Sequence, residues 1–388
     1  MARPDPVLLD LARGRPLREP VDPAAFLASA IEHRMTGLVW GHVTSGALTL
    51  DPATRAELMH GHLLMRSQVR HIWDALSEVA TRMAPLGIQL ATFKGPTAAA
   101  RWYDAEGERP FGDLDLLVGP ADHWRAAEIA AAIEPDHALA PVLQQLADAE
   151  VLPSVDLVLN GVNVDLHFDL LKFEVPGRHL DLFWARTLPY QLNDGNTVRV
   201  LDPEASLVHF LIHVNRDRFR HLLGHIDVAR VVQRENLDWD IVLELMRSEG
   251  LEVPLLLTLE AIAEVMELQL PPLPMPRGWR AVAWRRLWSP EVRLRGDEGS
   301  FRYRNRHRAL PFLARGRARD GLRHWVRYAV PPRSMMDVHF PETSGPYWWR
   351  NVTGRLHHVA ERRRASRPQP VAASPDPSRG TGPTPPRE

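Results

Sequence analysis

Apolar residues first fall into a helical rhythm. Between about Pro23 and Leu86 they recur at three- and four-residue steps, most clearly through Leu58, Leu63, Val69, Ile72, Leu76 and Val79, a spacing that gathers them on one face of a helix. Asp51-Pro52 offers a capping side chain and a first-turn proline for the longest of these helices. Gly87 ends the run, and the period changes. Ile88 to Phe93 is short and mostly apolar, which predicts a buried strand. Lys94-Gly95-Pro96 then opens an alanine-rich helix that ends near Tyr103. After a polar loop holding Arg109, Asp113 to Val118 predicts a second strand, and Pro120 starts a helix through Trp124 and Ile129.

Further along, Val155 to Leu159 and Val162 to Phe168 flank Asn160-Gly161, the dipeptide that suits a type I′ hairpin turn. The alternation puts Val162, Val164, Leu166 and Phe168 on one face and Asn163, Asp165 and His167 on the other. With a two-residue turn, Asp156 lies opposite Asp165, an unfavourable pairing unless a metal or a base intervenes. From Pro203 to about Leu268 the helical period returns. A proline-rich joint, Pro271 to Pro276, separates these helices from an arginine-dense segment. Beyond about Arg362 the chain is rich in Pro, Ser and Gly, which predicts a disordered tail. There is no internal repeat. The fold class expected is α+β.

Two acids one residue apart carry the most chemical information. In Gly112-Asp113-Leu114-Asp115 the alternation of a strand sends both carboxylates to one face and the leucines to the other. Like charges this close repel unless a cation lies between them, which points to a divalent metal. Taken alone, the same run is also compatible with a solvated strand edge.

Composition narrows the picture. The 388 residues are 45% hydrophobic and 24% charged, ordinary for a globular protein of two or three domains. A formal charge of -1 gives no bulk attraction to nucleic acid or membrane, so any polyanion site must be local. The absence of cysteine excludes disulfides, thiolate metal sites and cysteine nucleophiles, and is compatible with a cytoplasmic location. The first residues lack the apolar centre of a signal peptide, and no apolar span reaches membrane length. Among 47 basic residues only Lys94 and Lys172 are lysine. A lysine kept against that background suggests a need for a compact ammonium.

Two further patterns have plain readings. His209 with His213, and His221 with His225, stand four apart, which permits zinc, but no His-Glu-x-x-His run accompanies them and packing explains them as well. The arginines from Arg285 to Arg308, interleaved with Trp284, Trp288, Phe301 and Tyr303, suit either a solvated face or a nucleic-acid surface, and the solvated face is preferred. Trp348 and Trp349 are expected to pack a last helix.

Taken together, Lys94-Gly95, Arg109 with Gly112-Asp113-Leu114-Asp115, and Val164-Asp165-Leu166-His167 resemble the nucleotidyltransferase superfamily that includes DNA polymerase beta. The resemblance is closest to a bacterial, uncharacterised branch of it, and extends less specifically to Pro203-Glu204, His213 and Asp227, for which a structural role is expected first. It implies a nucleotidyltransferase-like core of small mixed sheet over 87–201, a helical N-terminal section over 1–86 and a helical domain over 202–270. An arginine-rich, largely helical region over 271–361 and the tail over 362–388 would follow. It also implies transfer of a nucleoside monophosphate from an NTP such as ATP to a hydroxyl or similar group of a small-molecule, peptide or protein acceptor, with Mg²⁺ or Mn²⁺ as cofactor. Asp113, Asp115 and Asp165 would be the catalytic metal ligands, with His167 supporting them from behind. Lys94, Gly95, Arg109 and Gly112 would contact nucleotide. One departure stands out: the superfamily's usual Gly-Ser at the first turn is Lys94-Gly95-Pro96 here. That substitution leaves open an inactive nucleotide- or partner-binding scaffold on the same fold. Neither a membrane nor nucleic acid is expected as a partner.

Overall fold

The computed structural model describes residues 4–135, 154–170, 180–217, 219–288, 294 and 346. Lys172, the arginines from Arg293 to Arg308, Trp348, Trp349 and the tail from 362 lie outside the described residues. The chain divides into two compact units, Met1–Val330 and Pro331–Glu388, and every element below belongs to the first.

Four helices lead: α1 (Pro6–Ala12), α2 (Pro23–Glu32), α3 (Thr36–Thr44) and the long α4 (Pro52–Met83). The start of α4 is fixed as its sequence suggests. Asp51 accepts hydrogen bonds from the amides of Ala53 and Thr54, both at 3.0 Å, with Pro52 in the first turn. A short 3-10 turn continues α4 to Gly87, whose φ of 67° closes it in the left-handed conformation.

The core then alternates strand and helix: β1 (Leu90–Thr92), α5 (Gly95–Trp102), β2 (Leu114–Val118), α6 (Ala126–Ile133), β3 (Ser154–Leu159), β4 (Val162–His167), α7 (Leu180–Ala185), β5 (Thr187–Gln191) and β6 (Thr197–Leu201). They form one six-stranded mixed sheet in the order β3-β4-β2-β1-β6-β5. β1 pairs antiparallel with β2 and parallel with β6, while β2 pairs parallel with β4. The Asn160-Gly161 turn has positive φ at both positions, 50° and 80°, and holds Asp156 opposite Asp165. Two strands are shorter than their apolar runs. β1 spans only three of the residues from Ile88 to Phe93, and β2 starts at Leu114, leaving Asp113 just ahead of it. After Pro120 the chain makes a 3-10 turn before α6, because no side chain caps the amides at Gly119 and regular α-helix begins only with the alanine-rich stretch.

Five helices follow: α8 (Pro203–Arg216), α9 (Leu222–Arg234), α10 (Trp239–Ser248), α11 (Glu252–Met266) and α12 (Trp279–Leu287). The two sheet faces differ in what covers them. Leu114, Leu116 and Val118 join Ile72, Leu76 and Val79 of α4 and Ile129 of α6 in one apolar cluster. Ala91, Phe93 and Leu117 join a larger cluster with α8 to α12 and with α1 to α3. Period-2 alternation therefore aims Asp115, flanked by Leu114 and Leu116, toward the helical half. The fold is mixed α+β, with the acids on the face that the C-terminal helices overhang.

Candidate active site

Register places the acids. Asp115 on β2 and Asp165 on β4 are direct partners across a parallel pair, and Leu117 faces His167 two residues on. Side chains at partnered positions of adjacent strands point the same way, so two carboxylates from distant stretches of chain meet side by side. The His167 ring bridges them, with Nε2 3.0 Å from Asp115 Oδ1 and 3.2 Å from Asp165 Oδ2. One ligand atom from each of these three residues lies within 4.8 Å of the other two. Among the described residues this is the one group of three or more acidic or histidine side chains with metal-holding geometry.

Lys94 completes the cluster from the turn between β1 and α5. Its ammonium donates a short hydrogen bond to Asp115 Oδ1. The backbone that presents it is strained, with φ 58° and ψ -109° in a residue that bears a Cβ, a conformation that costs on the order of 1–3 kcal/mol and concentrates at functional positions. Phe93 wedges the arrangement, edge-on to His167 at 4.8 Å and to His209 at 4.9 Å.

Charges in the cluster are unequal. Burial pushes Asp115 upward, but the hydrogen bond from His167 and the ammonium of Lys94 outweigh it and hold the carboxyl below its ordinary range. Asp113 moves the other way. Desolvation, followed by the charges of Asp115 and Asp165, raises its pKa, with Lys94 opposing. Asp113 is exposed in the pocket lining, and its carboxylate is not one of the three converging donors.

The other residues marked in the sequence are placed differently from one another. Arg109 is buried and bidentate to Asp227, through Nε at 2.8 Å and Nη2 at 2.7 Å, and Tyr103 Oη donates to the same carboxylate at 2.7 Å. This ties the loop before β2 to helix α9. A Cβ on Gly95 would lie 2.8 Å from Cβ and Cγ of Phe111, so close packing against that ring alone demands glycine there. Gly112 is exposed in the pocket wall and adopts no left-handed φ. His213 faces the pocket from α8, its Nε2 3.3 Å from Asp217. Burial, with the charges of Lys94 and Arg216, lowers it to about 4 despite Asp217. His225 bonds through Nδ1 to the carbonyl of His221.

Lys94, Gly95, Arg109, Asp113, Asp115, Asp165 and His213 line a pocket of about 370 Å³ bordered by residues of β2, β4, α8 and α9. Its lining also includes Arg34, Arg216 and Arg220, which no sequence motif marked. In a chain whose cations are nearly all arginine, individual arginines give no signal.

A mixed sheet with partnered acids on adjacent parallel strands, beneath an overhanging helical half, is a nucleotidyltransferase-like arrangement. The chain belongs to the family described as "Uncharacterised nucleotidyltransferase", which matches residues 19–267. Among solved structures it is similar to the crystal structure of an antigenic nucleotidyltransferase-like protein from Paracoccidioides brasiliensis, at 14% identity over 52% of this chain and 94% of that one, with a TM-score of 0.34. That likeness is too distant to carry an argument. No curated protein matches the chain. No helix among the described residues is long and apolar enough to cross a membrane.

Proposed function

We propose that the protein is a divalent-cation-dependent nucleotidyltransferase that moves a nucleoside monophosphate from an NTP to a hydroxyl or similar group of an acceptor. The observation that carries this reading is the pairing of Asp115 with Asp165 across β2 and β4, at the floor of a pocket large enough for a nucleotide's phosphates. Two carboxylates and an imidazole are a donor set that suits Mg²⁺ or Mn²⁺, with the imidazole tilting the balance toward Mn²⁺. Asp115 and Asp165 would hold the cation with His167, and Asp113, exposed in the same lining, would face the incoming triphosphate. Such an ion supplies charge neutralisation and a lowered pKa for the attacking hydroxyl.

The chain's own residues have separable tasks. The acceptor oxygen forms a bond to the α-phosphorus, the bond to the bridging oxygen of pyrophosphate breaks, and the hydroxyl proton passes to Asp165, the more accessible of the two strand acids. Lys94 is paired with Asp115, and its ammonium on a flexible stem would be the cation nearest that carboxylate to meet the charge of the departing pyrophosphate. Pro96 removes one amide from the start of α5, so the backbone grip on phosphate is weaker than a Gly-Ser turn would give.

The test is pyrophosphate release from each NTP with Mn²⁺ or Mg²⁺ over an acceptor panel, comparing wild type with Asp115→Asn. Turnover lost in the variant supports transfer. The second reading, an inactive scaffold, is motivated by the ion pair between Lys94 and Asp115 and by the missing serine. Nucleotide binding without turnover for any acceptor would favour it.

A further inference from the structure

The residues that sequence offered as a phosphate grip are engaged elsewhere: Lys94 with Asp115, Arg109 with Asp227, and Gly95 against Phe111. The same pocket is lined by further cations from three separate places. Arg34 comes from the corner between α2 and α3, Arg216 from the last turn of α8, and Arg220 from the turn before α9. Arg34 is exposed, stands at a left-handed φ of 59°, and its side chain has no ion-pair partner among the described residues. Its charge is felt at Asp113 on one side and at His221 on the other. Among the described residues Arg216 makes long contacts, 3.7 Å to Asp217 and 3.5 Å to His213 Nδ1. The pocket thus has an acid pole on the strands and a guanidinium pole on the helix corners.

We propose that Arg34, Arg216 and Arg220 form the polyphosphate-binding pole of the pocket, holding the β- and γ-phosphates of a nucleoside triphosphate whose α-phosphate faces Asp115 and Asp165. The proposal rests on the transferase reading for the identity of the ligand, but binding itself needs neither turnover nor metal. Guanidinium forks match phosphate oxygens two at a time, and a pole built on helix corners reinforces a Lys94-Gly95-Pro96 turn whose proline removes one amide donor. It also gives the helical N-terminal section, through Arg34, a direct part in the site. A triphosphate is distinguished from a monophosphate here by charge, because its two further phosphates give the three guanidinium groups more oxygens to hold.

Calorimetric titration of the full chain with ATP and with AMP, in EDTA at low ionic strength, tests this. Wild type binds ATP more tightly than AMP, and tripolyphosphate displaces the ATP. Arg34→Gln weakens ATP about tenfold with little change for AMP, Arg34→Lys loses less, and the Arg34→Gln/Arg220→Gln double variant abolishes the preference for ATP. Arg247→Gln, exposed on α10, behaves as wild type. ATP affinity unchanged in the double variant, or weakened equally by Arg247→Gln, overturns the proposal, as does failure of tripolyphosphate to compete. Arginine-dependent ATP binding without turnover for any acceptor would sink the transferase reading and leave this pole standing. Normal turnover with an unaltered KM for NTP in the double variant would do the reverse.

Discussion

At Asp227 a buried carboxylate meets a planar guanidinium, which fills both of its oxygens, and the Tyr103 hydroxyl adds a third bond. At Asp115 a carboxylate just as buried meets a point-charge ammonium and an imidazole, both directed at Oδ1, with Asp165 alongside and Asp113 close by. The first centre is complete within the protein. The second brings two carboxylates and an imidazole within reach of one another beside a single lysine, a donor set that can hold a further cation. The difference lies in the choice of base. A fork that matches its carboxylate oxygen for oxygen fixes two segments together, whereas a single ammonium on a four-carbon stem neutralises a site and still lets go.

The largest effect should come from breaking the complete centre. Arg109→Ala leaves Asp227 buried and uncompensated, and is expected to cost about 3–5 kcal/mol in urea unfolding. Replacing both partners by apolar residues, as in Arg109→Met/Asp227→Leu, should recover most of that loss. An Arg109→Ala protein as stable as wild type would erase the contrast. Next comes the acid centre. Asp115→Asn should reduce nucleotidyl transfer at least about a hundredfold. It should also abolish the stabilisation by added Mn²⁺, which for wild type at a hundredfold excess over Kd is about 2.7 kcal/mol and is reversed by EDTA. A variant that Mn²⁺ still stabilises would move the ion elsewhere.

How far the sequence reached follows from the same contrast. The acid centre was legible in part, because its members lie on two short strands with clear alternation. Alternation gave the face of Asp115 and the Asn160-Gly161 turn set Asp156 opposite Asp165, while the meeting of Asp115 with Asp165 across a parallel pair came only from the family resemblance. Where the strand begins was not legible, so Asp113 looked equivalent to Asp115 yet stands outside the converging group. The ion pair of Arg109 with Asp227, on a helix far along the chain, is not legible because no local pattern couples them. Nor could periodicity reveal that Arg34 reaches the pocket, since helix corners obey no spacing rule.

Lys94→Arg tests the choice of base directly. Arginine would bind Asp115 as a fork, turning the open centre into a copy of the closed one. The expected outcome is retained folding, a Mn²⁺ shift that is smaller, and turnover reduced about tenfold or more. Acid titration gives a milder separation. His33 is fully buried, and burial together with the neighbouring His221 charge pushes it down to about 4. The unfolded chain therefore binds an extra proton between its ordinary value and about pH 4, and stability falls as pH is lowered through that window. Asp115, held below the ordinary carboxylate range, surrenders its share only at lower pH still. Melting curves flat from pH 7 to pH 4.5 would show that His33 is not neutral in the fold.

The smallest expected effect sets the scale for the rest. Gly61 lies in the middle of α4, and a Cβ built there meets nothing within 4 Å. Helix propensity then acts unopposed, so Gly61→Ala should stabilise the protein by about 1 kcal/mol without touching either ion-pair centre. Gly95→Ala is the counterpart beside the acid centre, where the new Cβ meets the Phe111 ring at 2.8 Å and must displace it. Opposite signs for the same chemical change would show that the turn carrying Lys94 is held in its strained geometry by packing. Equal signs would mean that Phe111 yields freely, and that the ammonium is not fixed over Asp115 by the fold.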